Sequence, residues 1–220
     1  MLFTENIELN LPDSDITYCP DFFTLKESDV YFQYLLNHVP WQQDDIIVFG
    51  KTYKQPRLTA LFANNKEPYA YSYITMHPHP FTNKLLEIKS KVESVISVNF
   101  TTCLLNLYRD GQDSNGWHAD NEKELGINPI IASVSFGGER LFKLKHREND
   151  HLKKDLVLQN GSLLIMKGET QHKWLHQIPK TKKKVDKRIN LTFRIITKKT
   201  EVPQPQFFLF AMLLLVRFRV

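Results

Sequence analysis

His118 and Asp120 stand two residues apart in the stretch Gly116-Trp117-His118-Ala119-Asp120. In an extended segment that spacing points the imidazole and the carboxylate to the same face, where both can hold one ion. Adding one distant histidine makes a two-histidine, one-carboxylate face, which on Fe(II) leaves coordination positions open. Taken alone, a His-x-Asp pair on a surface loop is more often a solvated pair, so the rest of the chain has to supply the partners.

The third ligand has to come from Gln171-His172-Lys173-Trp174-Leu175-His176, where His172, Trp174 and His176 alternate onto one side of a strand-like segment. By residue type either histidine serves. His38, His77, His79, His146 and His151 lie outside any such grouping and read as surface or loop residues.

A second set of residues complements this face. In Arg188-Ile189-Asn190-Leu191-Thr192-Phe193-Arg194-Ile195, strand alternation sends Arg188, Asn190, Thr192 and Arg194 one way and the apolar residues the other. The two guanidiniums then stand about 20 Å apart along one strand at about 3.3 Å per residue. Inside a closed sheet structure they would be costly without anions, and a dicarboxylate substrate would supply them. On an edge strand the same face would simply be wet. Asn106 and Tyr108 end another predicted strand on one face and are further donors for such a ligand.

The elements that must position these groups read as follows. Thr24 to Val39 carries apolar residues at helical spacing, with Thr24 as cap and Glu27 three residues on. Phe81 to Val98 is a second amphipathic helix. Residues 1–20, with Pro12 and Pro20, form an irregular lead-in with one short strand. Ile46 to Gly50 and Pro56 to Phe62 are strands, and Pro68 to Ile74 is a strand with Tyr69, Tyr71 and Tyr73 on one face. From Thr101 onward five short strands follow: Cys103 to Tyr108, Ile130 to Phe136, Leu141 to Lys145, Ser162 to Met166 and Ile189 to Ile196. Turns such as Gly137-Gly138 and Asn160-Gly161 bound them. That density of short strands indicates an α+β chain built on a β-sandwich or jelly roll, with the N-terminal helices packed outside.

Two hundred and twenty residues suffice for one domain with a sizeable core. The net charge of +5, with a pI near 9.1, is compatible with a polyanionic partner without requiring one. Cys19 and Cys103 show no Cys-x-x-Cys spacing, which excludes a zinc knuckle or disulfide framework and leaves two free, buried thiols in a reducing compartment. The N-terminus lacks the basic and apolar regions of a secretory signal. The apolar run Phe207 to Val216 is too short to span a bilayer in a helix, which needs about 20 residues. The lysines between Lys180 and Lys187 read either as a solvated loop or as phosphate contacts.

With these residues in view the sequence resembles the AlkB family of Fe(II)- and 2-oxoglutarate-dependent dioxygenases. The likeness runs from about Val48 to Ile196. It rests on Asn106-Leu107-Tyr108, on His118-Ala119-Asp120, on His176 in a Gln-x-x-Trp-x-His setting, and on Arg188-x-Asn190-x-Thr192-Phe193-Arg194, in that order. The resemblance implies a double-stranded β-helix, a form of jelly roll. It implies metal ligands His118, Asp120 and His176, which also form the catalytic centre, and Fe(II), 2-oxoglutarate and O2 as cofactor and cosubstrates. Asn106, Tyr108, Arg188, Asn190 and Arg194 are the implied 2-oxoglutarate residues, with Arg188 at the distal carboxylate and Arg194 nearer the metal. The implied reaction is oxidative demethylation of bases such as 1-methyladenine and 3-methylcytosine in DNA or RNA, releasing formaldehyde. Phe49 matches a hydrophobic finger, Arg57, Tyr69 and Tyr71 match substrate positions, and Glu122 matches a carboxylate that favours a cationic lesion.

On this reading the chain divides into an extension and helix at 1–45, a nucleotide-recognition region at 46–100, the catalytic core at 101–199 and an apolar tail at 200–220. The expected protein is a monomer without a membrane span, working inside the cell in cytoplasm or nucleus. Two other functions stay open on sequence: the same oxygenase chemistry on a protein or lipid, and a nucleic-acid-binding module with a dead centre.

Overall fold

The computed structural model describes residues 5–48, 50–71 and 74–196. In chain order these hold β1 (Ile7–Glu8), β2 (Asp15–Cys19), α1 (Leu25–His38), β3 (Asp45–Val48), β4 (Lys51–Lys54), β5 (Leu58–Ala63), β6 (Tyr69–Tyr71), β7 (Ile74–Met76), β8 (His79–Pro80) and α2 (Asn83–Ile96). They continue with β9 (Thr102–Tyr108), β10 (Asn115–His118), a 3-10 turn (Lys123–Leu125), β11 (Ile131–Gly137), β12 (Arg140–His146), β13 (Lys153–Leu158), β14 (Ser162–Lys167), α3 (Thr170–Lys173), β15 (Trp174–Ile178) and β16 (Arg188–Arg194).

Helix α1 starts where its sequence says it should. The Thr24 hydroxyl accepts from Glu27 N, and the Glu27 carboxylate accepts from Thr24 N, so two otherwise orphaned donors are satisfied reciprocally. Helix α2 is capped by Thr82 and buries Leu85, Ile88 and Val92, a stripe at helical spacing.

Eight strands form the large sheet in the order β1-β2-β14-β11-β16-β9-β5-β8, and four form a smaller one, β10-β15-β12-β13. The large sheet draws β1 and β2 from residues 1–45, β5 and β8 from 46–100, and the rest from 101–199. One face of it packs against the helices, where Leu35, Leu85, Ile88 and Val92 meet Phe136, Ile189, Leu191 and Phe193. The other face packs against the small sheet, where Ile131, Leu164 and Met166 meet Phe142, Leu144, Leu158 and Trp174. Two sheets face to face with helices outside make the jelly roll the strand pattern predicts. Cover on both faces is also why every residue of β9 and β16 is buried. Gly137 lets the layers close: at φ +83°, a Cβ there would lie 2.4 Å from Lys187 O and 2.5 Å from the Phe32 ring.

Four expectations need correction. Pro68 to Ile74 is not one strand but belongs to two, β6 and β7, paired antiparallel with Tyr71 opposite Ile74. The lead-in carries two strands, and β2 pairs along its whole length with β14 inside the large sheet. His172 lies on α3, and the strand begins only at Trp174, whose indole N–H donates to Pro12 O. His146 is not a surface residue; it is buried at the end of β12, edge-on to Trp174. Phe49 and Tyr73, the side chains of Tyr69 and Tyr71, and the tail from Phe207 lie outside the described residues. Both cysteines are free and buried.

Candidate active site and metal centre

The two sheets bring the chemistry together between their facing surfaces. On the small sheet, β10 and β15 pair so that His118 and His176 are directly opposite, with ring centroids 4.2 Å apart. Asp120 follows two residues beyond, and donor atoms of His118, Asp120 and His176 all lie within 4.8 Å of one another. The expected alternative ligand, His172, is exposed and holds Asn128 N at 3.4 Å instead.

Each member of this cluster is fixed from behind. His118 Nδ1 bonds to Gly116 O at 2.8 Å, which leaves Nε2 as the nitrogen that could ligate a metal. Asn115 Nδ2 lies 3.1 Å from that Nε2. The His176 ring stacks on Phe142. The Gln171 side chain accepts from Asp120 N at 2.8 Å, tying the loop after β10 to α3. Arg194 Nη2 donates to Asp120 Oδ1 in a fully buried ion pair.

The electrostatics suit a metal. Burial lowers the pKa of His176 to about 3, with His118 adding repulsion, so its imidazole is neutral near pH 7 and its 3.7 Å approach to Asp120 is not an ion pair there. Burial likewise lowers His118, against the pull of Asp120. Burial pushes the Asp120 carboxyl up, yet Arg194 and the two imidazoles outweigh it and hold it below the usual carboxylate value. Two neutral imidazoles and one carboxylate are the protonation states a divalent ion requires.

The large sheet supplies the opposite wall. Central strand β16 turns Ile189, Leu191 and Phe193 into the helix-side core and Arg188, Asn190, Thr192 and Arg194 toward the small sheet, as the alternation predicts. A wet edge strand is excluded. Asn106 and Tyr108 line the same cavity from β9, and Arg57 enters from the segment before β5. Arg57 Nε donates to Asn106 Oδ1 at 2.8 Å and its Nη1 to Ser114 O at 3.2 Å, so it braces the wall.

Arg188 is the most informative of these. It is fully buried over the Tyr108 ring, its Nη2 donates to Ser135 Oγ at 2.9 Å, and among the described residues its Nε and Nη1 have no hydrogen-bond partner. Burial lowers its pKa to about 10, so it remains a cation. A buried cation with two unused donors calls for an anion such as a carboxylate.

Sequence reasoning assigned no role to Ser133 or Ser135. Ser133 Oγ accepts from Asn190 Nδ2 at 2.7 Å and Ser135 from Arg188. The signal was there: two hydroxyls at alternate positions of an otherwise apolar strand, directly across from Thr192 and Asn190. Gln171 was read only as part of a motif.

The loop that delivers β10 is held by Asp113, which accepts from Arg109 N, Nε and Nη2 at 2.8, 2.8 and 2.9 Å. Burial raises the Asp113 carboxyl, but Arg109 outweighs that and the net pKa lies below the ordinary 3.8. Stability from this group is therefore present above pH 3.8 and lost as pH falls through its lower folded value. Asp113→Asn is expected to cost about 2 kcal/mol at pH 7. Urea denaturation checks this, and a gap from wild type that fails to narrow below about pH 3.8 would refute the cause.

A sandwich of an eight-stranded and a four-stranded sheet with a His-x-Asp…His cluster and buried arginines defines a class, and the sequence comparisons agree. The 2OG-Fe(II) oxygenase superfamily pattern matches residues 15–194, and the chain belongs to that superfamily, among its AlkB homologues. It is 43% identical over 192 residues to "Alpha-ketoglutarate-dependent dioxygenase alkB homolog 3" of Bos taurus, covering 83% of this chain and 66% of that protein. To "DNA oxidative demethylase ALKBH2" of Homo sapiens it is 36% identical over 189 residues, covering 80% and 72%. The chain thus spans about two thirds of the length of its curated relatives.

Solved structures extend the fold likeness. "The structure of OsALKBH1" superposes with a TM-score of 0.64 at 15% identity, covering 87% of this chain and all of that one. A Trichoplax adhaerens prolyl hydroxylase in complex with a peptide fragment gives 0.58 at 13%, covering 82% and 83%. Among the described residues no helix is long and apolar enough to cross a membrane.

Proposed function

We propose that the chain is an Fe(II)- and 2-oxoglutarate-dependent dioxygenase that removes N-methyl groups from bases such as 1-methyladenine and 3-methylcytosine in DNA or RNA. The observation that carries this reading is the buried Arg188 guanidinium, two of whose donors have no hydrogen-bond partner among the described residues, in the same cavity as the His118–Asp120–His176 cluster. An ordinary core has no use for either group.

His118, Asp120 and His176 would hold the iron, and their neutral and anionic forms are already in place. Arg188, with Ser135 and Tyr108 beside it, would take the distal carboxylate of 2-oxoglutarate. Asn106, Asn190 and Arg194 would serve the end nearer the metal. Bound together, iron and 2-oxoglutarate supply the oxidation: O2 is consumed, 2-oxoglutarate becomes succinate and CO2, and the methyl group leaves as formaldehyde. The residues themselves bind, orient and exclude water. Asn115 has to release His118 Nε2 for the metal, which makes it a reporter of loading.

Glu122 would favour a cationic lesion over the neutral base. Its Oε2 is buried without a hydrogen-bond partner among the described residues. Burial raises its pKa, Arg194 pulls it down and Asp120 pushes it up. A methylated, positively charged base would add to the pull of Arg194 and favour the charged form of this carboxylate. Glu122→Gln is expected to raise KM for an oligonucleotide carrying 1-methyladenine about tenfold with less effect on the 2-oxoglutarate KM. Equal KM changes for both would remove Glu122 from the lesion pocket. Arg57 lines the cavity wall, and Phe49, Tyr69 and Tyr71 are assigned to substrate by sequence likeness. A monomer working in cytoplasm or nucleus goes with this substrate and with two free thiols.

The test is anaerobic reconstitution with Fe(II) and 2-oxoglutarate, then admission of air with methylated single-stranded and duplex oligonucleotides. Loss of one methylene in mass, with formaldehyde release, is the expected result. Succinate formation without base demethylation would move the chemistry to another substrate class.

A further inference from the structure

Trp117 immediately precedes the ligand His118, and strand alternation turns it away from the cavity onto the outer face of the small sheet. It is one of the few large apolar side chains left exposed there, at 40%. The Lys145 ammonium stands 4.7 Å from the centre of its ring.

Lys145 faces Lys153 directly across the β12–β13 pair. Like charges in that position are destabilising and call for a countercharge. Among the described residues neither ammonium has a carboxylate within ion-pair distance, whereas the neighbouring Lys143 is taken by Asp155 at 3.2 Å. An exposed indole beside two unneutralised ammonium groups has the chemistry of a stacking platform with phosphate contacts. A protein partner would be expected to bring a carboxylate to one lysine. A strand of nucleic acid brings a base to the ring and phosphates to both.

We propose that Trp117, Lys145 and Lys153 form a second contact surface for a single-stranded nucleic acid, outside the cavity and one residue from its metal-binding edge. This surface rests on the nucleic-acid reading above and adds to it where flanking nucleotides are held. A base stacks on the open part of the Trp117 ring, and the adjoining phosphates neutralise the lysine pair. Stacking on an aromatic face does not depend on base identity, so the surface adds affinity without sequence preference.

The test uses the full chain, loaded with Mn(II) and 2-oxoglutarate without O2, and oligothymidylates of three and twelve nucleotides. Of the three tryptophans, Trp174 is buried and Trp41 is partly buried against the helix-side core, so quenching of fluorescence by the twelve-mer should come chiefly from Trp117 and fall sharply in Trp117→Phe. Trp117→Leu should weaken the twelve-mer roughly tenfold and the three-mer much less, while Trp117→Phe, which keeps a π face, should recover most of the loss. Lys145→Met with Lys153→Met should weaken the twelve-mer and flatten its salt dependence, and these outward positions guard against misfolding of the tryptophan variants. Twelve-mer binding within twofold of wild type in Trp117→Leu, or no quenching at saturation, overturns the surface while demethylation by wild type still stands. Failure of the wild-type chain to bind or demethylate any oligonucleotide overturns the function reading and this one with it.

Discussion

Asp120→Asn is expected to abolish turnover, to remove tight Fe(II) binding, and to cost the metal-free protein about 3–5 kcal/mol. The first two follow from loss of the anionic ligand between His118 and His176. The third follows from Arg194, whose buried guanidinium would lose the Asp120 carboxylate to which it donates. His176→Ala provides the contrast. Its imidazole is neutral, so iron binding should fail with a smaller stability loss, mostly from the contact with Phe142. Anaerobic Fe(II) titration and urea denaturation in chelator separate the two effects. If Asp120→Asn is as stable as wild type without metal, the Arg194 pair is not holding this loop. If it binds iron unchanged, the centre lies elsewhere.

Arg188→Met should produce the opposite pattern. In the ligand-free protein the guanidinium carries a desolvation cost with only Ser135 and the Tyr108 ring in return, so an apolar side chain of similar length should change stability by less than about 1 kcal/mol. Binding of 2-oxoglutarate, by contrast, loses a charge-assisted fork, and its KM should rise roughly 100-fold or more. Arg188→Lys should fall between, because a single ammonium cannot reproduce a planar two-donor contact. Melting curves give an independent readout. Saturating 2-oxoglutarate at about 100 times the wild-type Kd should stabilise wild type by about 2.7 kcal/mol and Arg188→Met by no more than about 0.4 kcal/mol. A variant that keeps the wild-type KM would sever Arg188 from the cosubstrate and remove the main support for the chemistry.

These two residues also show how much of the site was legible before folding. His118 and Asp120 are close in sequence, so a period of two was enough to pair them. The polar face of Arg188, Asn190, Thr192 and Arg194 was legible for the same reason, since one strand carries all four. The capping box of α1 and the buried stripe of α2 are local too, and both appear as the spacing indicates. By residue type alone His172 and His176 were equivalent, and the sequence likeness chose between them. The structure gives the physical reason: α3 occupies the turn before β15, which takes His172 off the strand and leaves His176 opposite His118.

The chain's own order of residues thus determined the His118–Asp120 pair, the polar face of β16 and the capped start of α1, because each depends on neighbours within a few positions. Only the tertiary structure decided which face was inside, and it did so by stacking two sheets whose strands come from distant parts of the chain. That stacking buries Arg194 against Asp120, 74 residues away, and leaves Arg188 with unused donors in a shared cavity. It also buries His146 against Trp174, whereas a histidine outside any ligand grouping reads as surface. Burial, ion pairing and desolvation are sums over everything packed around a group, and local spacing carries no record of what will be packed there.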